Sequence, residues 1–224
     1  HPVVYIGRLI SWLETVLRRM IRNERAVGVL LLLLTVFITV FLTWLMLYGC
    51  WTLSSLMGFV MAVFLSATCL AARSLHAESA VVAQALDAGD IAAARQRLSW
   101  IVGRDTDNLD ESEIWRALIE TVAENTSDGV ITPMFWLTIG GPVAGMAFKA
   151  VSTLDSMVGY KNERYLHVGR ASARMDDLLN FIPARFTGLL LIICAPLCGC
   201  SLSGGWRIFQ RDRRNHPSPN SAHP

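Results

Sequence analysis

The stretch "AVGVLLLLLTVFITVFLTWLMLYGCWTLSSLMGFVMAVFLSATCLAA", Ala26–Ala72, runs 47 residues without a charge. One helix crosses a bilayer core with roughly 20 apolar residues, so this run is long enough for two crossings. Tyr48-Gly49-Cys50 lies near its middle and predicts a tight turn. The spans then fall near Val27–Leu47 and Trp51–Ala72. The run is too long, and too far from residue 1, for a signal peptide. The composition agrees: 53% of residues are hydrophobic and only 17% charged, which departs from soluble domains toward membrane proteins. A net charge of +2 gives no argument for a nucleic-acid partner.

Working outward, His1–Arg25 has Ile6, Ile10, Leu13, Leu17 and Met20 at helical spacing and predicts an amphipathic helix. Arg18, Arg19, Arg22 and Arg25 sit just before the first span. The positive-inside rule puts them in the cytoplasm, and Arg73, two spans later, on the same side. Arg73–Asp128 is the long polar stretch and reads as helix, turn, helix, loop, helix. The turn is Ala88-Gly89-Asp90, with Asp90 as N-cap of a helix over Ile91–Val102 that Gly103 ends. Asp110-Glu111-Ser112-Glu113 is a capping box opening a helix that runs to about Glu124.

Two more uncharged segments follow, Gly129–Phe148 and Phe186–Trp206, broken by Gly140-Gly141-Pro142 and by Pro196. The polar segment between them, Lys149–Arg185, holds Lys161, Arg164, Arg170, Arg174 and Arg185, which ask for the cytoplasm. A full crossing by Gly129–Phe148 would put them outside. A re-entrant pair, allowed where protein buries the irregular backbone, keeps them inside, and a kinked span is the other reading. The expected fold is therefore all-α: a polytopic integral membrane protein with a cytoplasmic helical insertion and broken or re-entrant helices. Its expected parts are 1–72 (amphipathic helix and transmembrane hairpin), 73–128 (cytoplasmic helical region) and 129–224 (broken membrane segments, polar active-site loop and basic tail).

Two clusters carry chemistry. In "VAENTSDGVITPMFW", Val122–Trp136, the oxygen ligands Glu124, Asn125 and Asp128 stand at the lip of an apolar segment. That suits Mg²⁺, which takes one or two carboxylates and leaves places for phosphate. The second cluster holds Asp155 and Asp176-Asp177, with Asn180 one turn beyond Asp176. Lys161, Arg164, Arg170 and Arg174 lie between Asp155 and the pair, the mixture of carboxylates and guanidinium forks that a phosphate needs. Solvated caps and i,i+4 pairs are the plain alternatives, and Glu113 and Arg116–Glu120 read that way. Gly140 and Gly145 have P-loop spacing, but Met146 and Ala147 stand where Lys and Ser or Thr belong. No catalytic triad or zinc-helix motif is present. Cys50, Cys69, Cys194, Cys198 and Cys200 read as small buried hydrophobes.

Five runs resemble one family: "RLSWIVGRDT" (Arg97–Thr106), "ETVAENTSDGVITPMFW" (Glu120–Trp136), "KAVSTLDSMVGYKNERY" (Lys149–Tyr165), "ARMDDLLNFIPAR" (Ala173–Arg185) and "HPSPN" (His216–Asn220). Together they resemble the adenosylcobinamide-phosphate synthases, the CbiB/CobD family, over nearly the whole chain. Ser152 departs from the Asn usual there, which puts a ligand contact in doubt. Family members continue past "HPSPN", so a chain truncated at its C-terminal end is expected. The resemblance implies ATP-dependent amide synthesis, joining a propionate carboxyl of adenosylcobyric acid to (R)-1-aminopropan-2-ol phosphate or a close amino-alcohol phosphate. It implies ATP and Mg²⁺ as cofactors, with a corrinoid substrate carrying its own cobalt.

On that reading Glu124, Asn125, Asp128, Asp176 and Asp177 bind the metal, while Asp155, Lys161 and Arg164 are catalytic. Arg170 and Arg174 hold phosphates, and Ser218 and Asn220 close over the site. Arg104, Asp105 and Thr106 either contact a substrate or stabilise their loop. His76, His167 and Trp136 are expected only to pack. Membrane lipid, other late cobalamin-pathway membrane enzymes and a second copy of the chain are the expected partners, without nucleic acid. The expected location is the cytoplasmic (inner) membrane, multi-pass, with the active site on the cytoplasmic side. A Mg²⁺-dependent membrane phosphotransferase or prenyltransferase is the rival enzyme reading. A transporter is the non-enzyme one, because broken helices with polar residues also mark substrate paths.

Overall fold

The computed structural model describes residues 1–103, 105–160 and 163–212. Its regular structure is helical, with no strand among the described residues. The chain divides into two compact units, His1–Leu70 with Thr132–Phe181 and Ala71–Ile131 with Ile182–Pro224. Among the described residues four helical stretches are long and apolar enough to cross a membrane. The protein is an all-α membrane protein.

In the first unit α1 (Pro2–Met20) precedes α2 (Glu24–Leu53) and α3 (Ser55–Cys69). Asn23 separates α1 from α2 and caps the latter, accepting from the Arg25 amide at 3.0 Å. The turn expected at Tyr48-Gly49-Cys50 falls instead at Ser54. α2 runs straight through Gly49, helped by Tyr48 stacking on Trp44 with centroids 5.3 Å apart. Ser54 then breaks the helix with an extended backbone, and its hydroxyl accepts from the Leu56 amide. A capping hydroxyl is a stronger stop than a lone glycine, which costs a helix only about 1 kcal/mol. The two arms are unequal. At about 1.5 Å per residue, the 30 residues of α2 extend about 45 Å and the 15 of α3 about 22 Å. The second arm thus stops at Cys69, short of the expected Ala72.

The next element of this unit, α7 (Thr132–Val158), is broken at Gly140–Gly141. Gly141 has φ 61° and ψ −157°, a conformation open essentially to glycine alone. Leu137 Cδ2 lies 2.5 Å from where a Cβ on Gly145 would sit. Residues eight apart on a straight helix are about 12 Å apart, so the two halves of α7 fold back on each other. The segment is a helical hairpin rather than a kinked rod. The unit's core joins Ile10 of α1, Leu31 of α2, Cys69 of α3, and Ala150 and Leu154 of α7, all fully buried. Phe37, Phe41, Trp44 and Tyr48 form an exposed aromatic ladder along α2.

The second unit contains α4 (Ala72–Asp87), α5 (Ile91–Leu98) and α6 (Glu111–Thr126), packed around Val82, Leu98 and Ile114. Asp90 caps α5 as expected, accepting from the Ala93 amide at 2.9 Å. α5 ends at Leu98 rather than Val102, because the amides of Trp100 and Ile101 turn back to the carbonyls three residues before them. The capping box is formed. Asp110 accepts from the Glu113 amide at 2.8 Å, and Glu113 accepts from the Asp110 amide at 2.9 Å. α6 continues into a π turn, Ser127–Ile131. α8 (Arg170–Cys194) starts in the first unit and ends in the second, followed by a 3₁₀ turn, Ala195–Cys198, and α9 (Leu202–Asp212).

Candidate functional site

The two acidic clusters lie in different units. In the first unit the connection from α7 to α8 is closed by a glycine contact. A Cβ on Gly169 would strike the Val158 carbonyl, so only glycine lets the two helix ends meet this closely. Asp155 sits one turn before the end of α7, and the Gly159 amide donates to its carbonyl at 2.7 Å. The closure brings Asp155 within electrostatic reach of Asp177 on α8. One turn of α8 pairs the other members: Asn180 Nδ2 donates to Asp176 Oδ2 at 2.9 Å. Asn180 is 1% exposed, and its Oδ1, like Asp155 Oδ1, is buried without a hydrogen-bond partner. A buried oxygen left without a donor costs about 1–3 kcal/mol and suits a hard cation. In neither unit do three acidic, His or Cys side chains among the described residues converge closely enough to hold a metal by themselves. Asp155, Asp176 and Asp177 are the carboxylates of this unit that could contribute to a cation site, its remaining places going to water or ligand oxygens.

Arg170 and Arg174 lie exposed on the first turns of α8. Arg164 lies in the connection between α7 and α8. Its Nη2 lies 3.4 Å from Glu14 Oε1, and its guanidinium stacks 5.0 Å from the Tyr165 ring centroid. Arg18 shares the same Glu14 oxygen at 2.9 Å, stacks on the same ring at 5.7 Å and donates to the Arg164 carbonyl at 2.9 Å. Glu14, 8% exposed, thus holds the Arg164 loop against α1. The sequence reading passed over Glu14 and Tyr165. One signal was available: Glu14 is four residues after Ile10 and three before Leu17, on the buried face of α1.

In the second unit Glu124 and Asn125 lie in the last turn of α6, and Asp128 lies in the π turn that continues it. Such turns are rare and often mark functional sites. The Gly129 carbonyl accepts from the Ala71 amide at 2.9 Å, and Thr187 Oγ1 donates to Ser127 Oγ at 3.4 Å. Asn125 Nδ2 donates to the Thr121 carbonyl at 2.9 Å, and Glu124 and Asn125 are both exposed. Thr106, 2% exposed, donates to the Arg95 carbonyl at 3.0 Å, and Asp105 accepts from the Asp107 amide at 3.0 Å. Both hold their loop together. Arg104, Lys161, Ser218 and Asn220 lie outside the described residues. Trp136, expected only to pack, donates to the Leu179 carbonyl at 3.3 Å. Pro183, four residues on, has no amide to offer that carbonyl.

Four helical stretches among the described residues long and apolar enough to cross a membrane, one of them folded back on itself, define an all-α polytopic membrane protein. The CobD/Cbib protein family matches the chain over residues 1–224. The chain is 69% identical to the cobalamin biosynthesis protein CobD of Pelobacter propionicus, over all of this chain and 69% of that protein. It is 60% identical to the CobD of Geobacter metallireducens, over all of this chain and 70% of that one. It is 46% identical to the cobalamin biosynthesis protein CbiB of Salmonella typhi, over 99% of this chain and 70% of that protein. No solved structure matches. The chain belongs to the CobD/Cbib family.

Proposed function

We propose that the protein is an enzyme of cobalamin biosynthesis that joins adenosylcobyric acid to (R)-1-aminopropan-2-ol phosphate, or a close amino-alcohol phosphate, at the expense of ATP. The product is adenosylcobinamide phosphate. The observation that carries this reading is the oxygen cluster of Asp155, Asp176, Asp177 and Asn180, closed by the Gly159–Gly169 contact in a CobD/Cbib chain.

A free carboxylate is a poor electrophile and has to be activated. In the proposed sequence a carboxylate oxygen attacks the γ-phosphorus of ATP, the P–O bond to ADP breaks, and an acyl phosphate forms. The amine nitrogen then attacks the acyl carbon, the C–N bond forms, and inorganic phosphate leaves. Asp155, Asp176 and Asp177 would hold Mg²⁺, which neutralises charge on the transferring phosphoryl group. Arg170 and Arg174 hold phosphate oxygens, and Arg164, oriented by Glu14, stands ready at the neighbouring loop. Glu124, Asn125 and Asp128 offer oxygen ligands at a second place, which suits a reaction whose two substrates both carry phosphate. The site is assigned to the cytoplasmic face of the inner membrane, where a nucleotide and a bulky corrinoid can meet.

The test uses adenosylcobyric acid labelled with ¹⁸O in the reacting carboxylate. One ADP and one phosphate per amide formed, with ¹⁸O in the released phosphate, is the expected result. AMP and pyrophosphate, or label absent from phosphate, would overturn the acyl-phosphate route. Solute uptake into sealed vesicles without chemical change would overturn the enzyme reading itself.

A further inference from the structure

α1 lies across the end of the helical unit, not alongside its spans. Met157, next to the end of α7, is 3.5 Å from where a Cβ on Gly7 would sit. Arg18, eleven residues later, reaches Arg164 in the loop that follows α7. Eleven helical residues extend about 16 Å. A helix running along the membrane normal would carry Gly7 that far in depth from Arg18, yet Arg18 pairs with Glu24 at the start of α2, and Gly7 meets Met157 beside the end of α7, which Gly169 holds next to Val168. The same level holds the start of α2, where Val168 lies against Gly28.

The apolar arc of α1 is wider than the face the unit covers. Ile6, Ile10, Leu13 and Leu17 are buried. Tyr5, Trp12 and Met20, spaced at two-turn intervals, remain 69%, 60% and 76% exposed. Arg8 and Arg19 stand beside them, three residues after Tyr5 and seven after Trp12, and both are exposed. Among the described residues neither enters an ion pair, whereas Arg18 pairs with Glu14 and Glu24. Ser11 and Thr15 mark the polar flank, each hydroxyl bonded to the carbonyl four residues before it.

We propose that α1 is an interfacial helix that binds anionic phospholipid. Tyr5, Trp12 and Met20 enter the boundary between headgroups and acyl chains, and Arg8 and Arg19 take the phosphates. The occupant follows from continuity and charge. Only three residues separate α1 from α2, whose uncharged run begins at Ala26, so the headgroup layer lies at this level. Aromatic rings with arginines beside them match that layer.

The full chain, without native cysteines, is spin-labelled at Trp12→Cys or at Thr15→Cys and reconstituted in phosphatidylcholine bilayers containing phosphatidylglycerol. The label at residue 12 should be open to oxygen dissolved in lipid and shielded from a nickel chelate in water, with the reverse at residue 15. A residue-12 label as open to nickel as residue 15 would mean a water-facing helix. Shielding from both reagents would mean a protein-covered face, such as a second copy. Either overturns the proposal. Adding Arg8→Gln or Arg19→Gln should lower the ratio of lipid-seated to unseated label about fivefold each. An unchanged ratio, with or without phosphatidylglycerol, would remove the anionic lipid from the assignment.

Discussion

At the scale of single residues, the cluster on α8 makes the sharpest demand. Asp176→Asn and Asp177→Asn barely change side-chain volume but remove a negative charge. Each should reduce adenosylcobinamide phosphate formation on the order of 100-fold, the loss typical of removing one electrostatic stabiliser. Membrane insertion and yield should be unchanged. Near-normal turnover at limiting Mg²⁺ in both variants would make the pair structural. Trp136 makes a different demand. Trp136→Phe leaves the Leu179 carbonyl without a donor, at a cost of about 1–3 kcal/mol in detergent unfolding. Pro183→Ala restores a helical amide, so the same substitution in that background should cost measurably less. Equal costs in a double-mutant cycle would show that Trp136 merely packs.

At the scale of elements, the α7 hairpin depends on the conformation of one glycine. Gly141→Ala should destabilise the folded chain by about 1–3 kcal/mol, while Gly103→Ala, at ordinary φ with nothing within 4 Å of the added carbon, should be close to neutral. Matching effects on the thermal midpoint would mean the break imposes no constraint. α6 responds to acid. Hydrogen bonds from the Glu113 amide and the Ser112 hydroxyl hold the Asp110 carboxyl below the ordinary aspartate range. A depressed folded value means the contribution is present above the unfolded pKa and is lost as pH falls through the folded one. Thermal stability of the α4–α6 region should therefore drop on acidification below the usual aspartate pKa. Asp110→Ala should start lower and lose less over that range, and an identical pH dependence in the variant would exclude the cap as its source.

At the scale of the whole molecule, topology was legible where it follows from local physics. A 47-residue uncharged run had to enter a bilayer, and Asp90 and the Asp110–Glu113 box had to start helices. The same local patterns put Asp176 and Asn180 on one face. They could not show that Asp155 approaches Asp177, because that depends on Gly159 and Gly169 letting two helix ends touch. Nor could they link Glu14 to Arg164, 150 residues apart, where no periodicity connects them. The hairpin break was visible as Gly140-Gly141-Pro142, while its fold-back rests on the contact of Leu137 with Gly145. The structure places Val168, near the end of the connection from α7 to α8, against Gly28 near the start of α2. Single cysteines at Met20 and His167, in a background without native cysteines, should therefore be labelled from the same side of the membrane, and one at Trp51 from the other. Opposite labelling of Met20 and His167 would overturn that arrangement.

The bond from Trp136 to Leu179 also has a consequence in time. The two residues are 43 positions apart, and a ribosome adding about 5–20 residues per second needs roughly 2–9 s to cover that distance. Throughout that interval the Trp136 indole of the hairpin's first arm has no Leu179 carbonyl to meet. The partner carbonyl is free to receive it only because Pro183, made later still, cannot close the helix over it. The latch can therefore close only after about the first three turns of α8 have been made.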